Sequence, residues 1–204
     1  SASRRRSGRS RHCMARPLAE APVLRTRRLL LRPWREADLA PFASINADPR
    51  VTATLAGSLT RSERDALAGR IADRFRDKGF GQWAVEIPGV APFIGFIGLA
   101  APAFEAHFTP AIEIGWRLAF EHWGQGYATE GAKAVLEFAF TQAGLEDVVS
   151  FTTQSNTRSR AVMERIGMHH DPRDDFDHPS LDRTHPLLRH VLYRLRRDEW
   201  QKPA

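Results

Sequence analysis

Residues 122–130 read His-Trp-Gly-Gln-Gly-Tyr-Ala-Thr-Glu, a turn with glycines at 124 and 126 between a strand-like run (111–118) and an amphipathic one. Glycine lets the backbone bend and approach a ligand closely, and a helix start offers unpaired N–H groups and a positive dipole end. Together these are the parts of a pyrophosphate site. A nucleoside-triphosphate loop would end in Gly-Lys-Ser/Thr, whereas this one continues Gly126-Tyr127-Ala128-Thr129 with no lysine. A dinucleotide turn would place a third glycine where Thr129 stands, and an acid at the end of the next strand, whereas Glu146 and Asp147 precede it. The reading left is coenzyme A.

Two motifs resemble the GNAT acetyltransferase superfamily, in particular its Rim-type (ribosomal-protein N-acetyltransferase-like) branch. The first is Trp123-Gly124-Gln125-Gly126-Tyr127-Ala128-Thr129-Glu130, similar to the family's Arg/Gln-x-x-Gly-x-Gly/Ala pyrophosphate motif, with Trp123 in place of its first residue. The second is Asn156-x-x-Ser159-x-x-Val162-Met163-Glu164-Arg165-x-Gly167-Met168, similar to the stretch that closes the family's cofactor-binding half. The elements from Leu24 to Leu195 follow the family's order. The resemblance implies acetyl-CoA as co-substrate and a primary amine, either a protein or peptide N-terminus or a small molecule, as acceptor. It implies direct attack in a ternary complex and no metal.

By the same resemblance, the main chain of Trp116, Arg117 and Leu118 pairs with the pantetheine arm, Trp123 to Thr129 hold the pyrophosphate, and Asn156 contacts the arm. Glu113 is the candidate general base: strand alternation puts it with Gly115 and Arg117 on one face, opposite Ile112, Ile114 and Trp116. A surface glutamate paired with an arginine is the competing reading. The family's usual thiolate-protonating tyrosine is replaced by Met163, which cannot donate a proton. Ser159 occupies the position that resembles the donor of Rim-type relatives, and a first-turn serine bonding backbone is its alternative. Met163 also fits a core stripe with Val162 and Ile166. Asn156 reads equally as a helix cap. His122 lies at the pyrophosphate end and is read as structural. The acceptor pocket falls to residues 39–59, 104–110 and 174–179 with Trp83 on a wall; the acids of 173–178 are there to attract a cationic amine or to form a solvated turn.

The elements that position these residues alternate between strand and helix periods. Strands are expected at 24–32, 82–87, 92–100, 111–118, 148–153 and 187–195. Helices are expected at 36–46, at 60–78 behind the capping box Thr60-x-x-Glu63, at 128–143, and from Asn156 to Gly167. The fold class is α/β (α+β) of GNAT type, a mixed, mostly antiparallel sheet flanked by helices on both faces. The chain has 204 residues, 42% of them hydrophobic, and a formal charge of +6. Six arginines and no acid lie within residues 1–16, which leaves the remainder neutral. Residues 1–16 therefore read as a disordered basic extension and 17–204 as one acetyl-CoA-dependent domain. No apolar run is long enough for a membrane span, the single cysteine, Cys13, makes no internal disulfide, and a cytoplasmic location is expected. Nucleic acid would be bound only through the tail, and self-association would give a homodimer. Two other classes compete with the enzyme: a non-catalytic acyl-CoA-binding or sensing module, and an RNA-associated factor.

Overall fold

The computed structural model describes residues 22–55, 74–75 and 77–201. The expected basic extension and most of the expected helix 60–78 lie outside them; residues 74–75 and 77–78 are helical.

Among the described residues nine strands form one sheet: β1 (Leu24–Arg25), β2 (Leu30–Arg32), β3 (Gln82–Ile87), β4 (Ala91–Ala100), β5 (Glu113–Leu118), β6 (Asp147–Thr153), β7 (His169–His170), β8 (Phe176–Asp177) and β9 (Arg189–Arg196). Their order is β1-β2-β3-β4-β5-β6-β9-β7, with β8 also paired to β9. Every pairing is antiparallel except β5 with β6. The expected mixed, mostly antiparallel sheet is thus what the chain forms.

The first expected strand is instead two. Thr26 Oγ1 accepts a hydrogen bond from the Leu29 amide at 2.9 Å, and the Thr26 amide donates to the Leu29 carbonyl at 3.0 Å, turning the chain between β1 and β2. A threonine that satisfies its own turn overrides the β propensity of its neighbours. The next turn, at Pro88-Gly89, follows its composition: the Val90 amide reaches the Ile87 carbonyl at 3.0 Å, with Gly89 at φ 75°.

Helices α1 (Leu39–Ala47) and α2 (Pro49–Thr52) cover one face of the sheet, where Phe42, Ile45 and Val51 pack with Ala84, Phe93 and Phe96. Helix α3 (Tyr127–Thr141) covers the other, with Val135, Leu136 and Ala139 in the core beside Trp83, Ile97 and Ile114. Helix α4 (Thr157–Arg165) follows β6 and buries Met163. A buried ion pair fixes α1: Arg32 donates to both Asp38 oxygens at 2.8 and 2.9 Å and to Glu86 at 2.7 Å. Among the described residues no helix is long and apolar enough to cross a membrane.

Candidate active site

The site begins as a fork in the sheet. Strands β5 and β6 are in register at one pair, Glu113 with Val149. The Val149 amide donates to the Ile112 carbonyl at 2.9 Å, and Ser150 Oγ donates to the Ile114 carbonyl at 2.8 Å. Beyond this point β5 stays with β4 as far as Leu118, and β6 stays with β9 as far as Thr153, so the two part company. Backbone groups alternate along a strand. The Ala119 amide bonds to Ile94 on the β4 side, so the N–H and C=O of Trp116 and the N–H of Leu118 face the opening. A cavity of about 1020 Å³ occupies the fork and runs to the glycine loop. An elongated ligand with hydrogen-bonding groups along its length fits this edge as an added strand would.

At the far end of the fork, Phe120–His122 form a turn of 3-10 helix and Trp123 Nε1 donates to the Leu118 carbonyl at 2.9 Å. Gly124 and Gly126 take φ 74° and 81°, a region costly to a side chain, and Gly126 is the N-cap of α3 with no side-chain cap. The first amides of α3 therefore remain available to an anion. Trp123, Gly124, Gly126, Tyr127, Ala128 and Thr129 all line the cavity. Gln125 does not; its amide turns back to the Glu121 carbonyl at 3.1 Å, leaving only its main chain to the loop. Glu130, in the first turn, accepts from Thr26 Oγ1 (2.7 Å), the Arg28 amide (2.8 Å) and Arg28 Nε (2.7 Å). Burial alone would raise its pKa, but these hydrogen bonds outweigh burial and hold it below the usual value. The Arg28 guanidinium also lies 4.6 Å over the Tyr127 ring.

On the β6 side, Asn156 caps α4: its Oδ1 accepts from the Ser159 amide at 3.2 Å, and its Nδ2 donates to Thr54 Oγ1 (3.1 Å) and Thr152 Oγ1 (3.0 Å). Both donors are committed, so Asn156 ties the chain after α2 to the cofactor half. Half-buried Ser159 lines the cavity, and no hydrogen bond is made by its hydroxyl among the described residues. Met163 is 1% exposed, a core residue. Arg158 lies 5.0 Å over the Trp123 ring, a cation beside the glycine loop that sequence reasoning missed.

The candidate general base lies at the apex of the fork. Glu113, Gly115 and Arg117 share the sheet face covered by α1 and α2, as alternation requires, and all three line the cavity. The Glu113 carboxyl leans along the strand over Gly115, its Oε1 only 3.6 Å from where a Cβ there would stand. Burial pushes its pKa up to about 8, tempered by the charge of Arg74. A carboxyl so placed can take a proton near neutral pH. Arg117 donates from Nη1 to Asn46 Oδ1 and lies 5.7 Å over Phe96.

The expected acceptor pocket needs three corrections. Residues 104–110 do not line the cavity: Phe104 and Phe108 turn away into an aromatic cluster with Phe151 and Phe176. Trp83 lines no wall: it is fully buried on the α3 face, and its Nε1 donates to the Pro22 carbonyl at 2.7 Å. The acids near 173–178 are engaged internally, Asp174 with Arg194 (2.6 Å), Asp175 with His170 (2.7 Å) and Asp177 with Arg189 (3.3 Å), and none lines the cavity. Val51, Thr54 and Leu55 do line it, as does Gln82, which no local pattern singled out. His122 lies at the loop end, 6.3 Å from Tyr127. No cluster of metal-ligand type occurs among the described residues.

Comparison with known proteins bears on this geometry. The acetyltransferase (GNAT) domain model matches residues 28–169. A protein of Aspergillus fumigatus named FsC-acetyl coenzyme A-N(2)-transacetylase is 31% identical over 197 residues, covering 90% of this chain and 81% of its own. The crystal structure of an acetyltransferase from Agrobacterium tumefaciens superposes with a TM-score of 0.69 at 31% identity, over 85% of this chain and 94% of that one. RimJ of Mycobacterium smegmatis, solved with CoA-disulfide, shares the fold at 19% identity and a TM-score of 0.67, over 84% of this chain and 83% of its own.

Proposed function

The chain belongs to the GNAT acetyltransferase family, and from that premise we propose that it transfers the acetyl group of acetyl-CoA directly to a primary amine in a ternary complex. That the protein is an N-acetyltransferase follows from the family; the acceptor and the residue roles are our reading. The observation that carries it is the fork with one registered pair, which opens beside a glycine loop at one end and has the Glu113 carboxyl at its apex.

In this reading the N–H and C=O of Trp116 and the N–H of Leu118 bind the pantetheine arm, without the expected main chain of Arg117, whose N–H and C=O face Phe96 on β4; the amides from Gln125 to Thr129 bind the pyrophosphate, with Trp123 bracing the loop against Leu118. When bound, acetyl-CoA supplies the thioester carbonyl. Glu113 takes the proton shed by the acceptor nitrogen. The bond made joins that nitrogen to the carbonyl carbon, and the bond broken is carbon to sulfur. Ser159 is assigned the proton for the departing sulfur, since Met163 carries none; a thiol pKa of about 8.5 keeps the step tolerable without it. The N(2) in the Aspergillus relative's name supports nitrogen as the acceptor atom. The Trp-Gly-x-Gly-Tyr-Ala-Thr-Glu form of the loop supports the Rim-type branch. We also assign catalysis to residues 17–204 and none to residues 1–16.

The test is acetyl-CoA-dependent thiol release across a panel of peptide N-termini, amino acids, polyamines and aminoglycosides, with mass spectrometry of the products. Release with a product heavier by one acetyl group is expected for at least one amine. Binding of acetyl-CoA with no release from any of them would leave the acyl-CoA-binding module as the better reading.

A further inference from the structure

Among the described residues, two buried polar atoms on the α1/α2 face of the site lack a hydrogen-bond partner, and a carboxyl beside them receives no hydrogen bond. Gln82 Oε1 is a buried acceptor with no hydrogen-bond partner, and Arg117 Nε is a buried donor with none. The Glu113 carboxyl receives no hydrogen bond among the described residues. All three line the same cavity. Register brings them together: Gln82 pairs with Gly98, Gly98 with Gly115, and Gly115 stands between Glu113 and Arg117 on β5.

Buried polar groups are nearly always paired, and a buried guanidinium without a carboxylate is costly. Among the described residues the Arg117 guanidinium has Asn46 and the face of Phe96, neither of them charged, and burial pulls its pKa down to about 10. Two acceptors at one end and a cationic donor at the other form a dipole. A neutral or purely cationic amine would satisfy the first end and leave Arg117 unmet. An amine that also carries a carboxylate would satisfy both.

We propose that the acceptor is a zwitterionic, amino-acid-like molecule, its amine held by Glu113 and Gln82 and its carboxylate by Arg117. This rests on the acetyl transfer proposed above and names its substrate class. Arg117 is thereby a specificity residue: its main chain pairs with Phe96 on β4 and its side chain selects the acceptor.

The experiment uses the full chain, acetyl-CoA, and matched triples: leucine, phenylalanine and ornithine, each as free amino acid, carboxamide and decarboxylated amine. For at least one triple, kcat/KM should favour the amino acid over the decarboxylated amine by roughly ten- to a hundred-fold, the value of a hydrogen-bonded charge pair. Arg117→Gln should collapse that ratio to within a few-fold while calorimetry shows acetyl-CoA still bound, and Arg117→Lys should restore part of it. Gln82→Leu, which leaves Arg117 in place, should raise the acceptor KM and keep the ratio. Transfer to amines with no carboxylate preference in any triple would overturn this inference alone. A preference that survives Arg117→Gln would overturn it as well. No transfer to any amine would overturn the proposed activity, and this inference with it.

Discussion

Replacing Glu113 by glutamine removes the group's charge while keeping its shape, and the structure fixes what should follow. With a pKa of about 8, Glu113 is roughly one-tenth ionised at pH 7 and mostly ionised at pH 9. If it is the base, wild-type kcat/KM for the amine should rise about tenfold between those pH values beyond the acceptor's own ionisation. In Glu113→Gln the acceptor's own ionisation should persist alone, so the wild-type to variant ratio isolates the Glu113 limb. At pH 9 that ratio should reach ~100 or more, with acetyl-CoA affinity unchanged. Stability supplies an independent reading. The unfolded carboxyl titrates near 4.5 and the folded one near 8, so between these values the native state holds the extra proton. Stability is therefore full below pH 4.5 and declines as pH rises to 8, by at most about 1.4 kcal/mol per unit, and by less where water enters the pocket mouth. Glutamine has no such penalty, so the variant should gain melting temperature over wild type as pH rises. A ratio near unity at every pH, with melting curves that shift in parallel, would refute both the buried placement and the role of Glu113.

Gly126→Val should abolish acetyl-CoA binding by calorimetry, because φ 81° opposes a β-branched residue and its Cβ would stand 3.4 Å from Arg28 Nη2; the protein should still fold, at a cost of about 1–2 kcal/mol. Ser159→Ala should lower turnover by something like 100-fold with cofactor affinity kept, and a rate within a few-fold of wild type would remove Ser159 from the mechanism. Met163→Tyr should lower the melting temperature through overpacking of about 1–3 kcal/mol, since a residue 1% exposed has no room for a larger ring. Asp38→Ala should cost about 3–5 kcal/mol in urea unfolding, because Arg32 would lose two of its hydrogen bonds while remaining buried.

Local signals made the cofactor half legible. The glycines, the helix period after them and the Asn156 cap all act within a few residues, and the structure has the glycines at positive φ, the helix directly after them and Asn156 capping α4. Strand alternation likewise put Glu113, Gly115 and Arg117 on one face before any coordinates. What alternation along β5 cannot supply is the register across β4 to β3, so Gln82 went unnoticed and the Arg117 side chain was placed on its face but given no role. Arg158 over Trp123 is invisible for the same reason, since 35 positions separate them. The split of the first strand turned on a single threonine whose hydroxyl competes with the ladder. Trp83 misled because a large aromatic beside a pocket strand reads as a wall until its face of the sheet is known.

The Glu130 carboxylate at the start of α3 has a consequence for how readily an anion is received. An acid in the first turn steadies a helix against its own dipole, yet by itself it would repel a phosphate arriving at the same amides. Here the N-terminal hairpin supplies the counter-charge through Arg28, with Thr26 holding the same carboxylate. The helix start is thus held by side chains of the fold itself. Binding energy from the phosphates can then appear as affinity rather than being consumed in ordering the loop. The first hairpin, far from the glycines in sequence, is in this sense part of the proposed anion site.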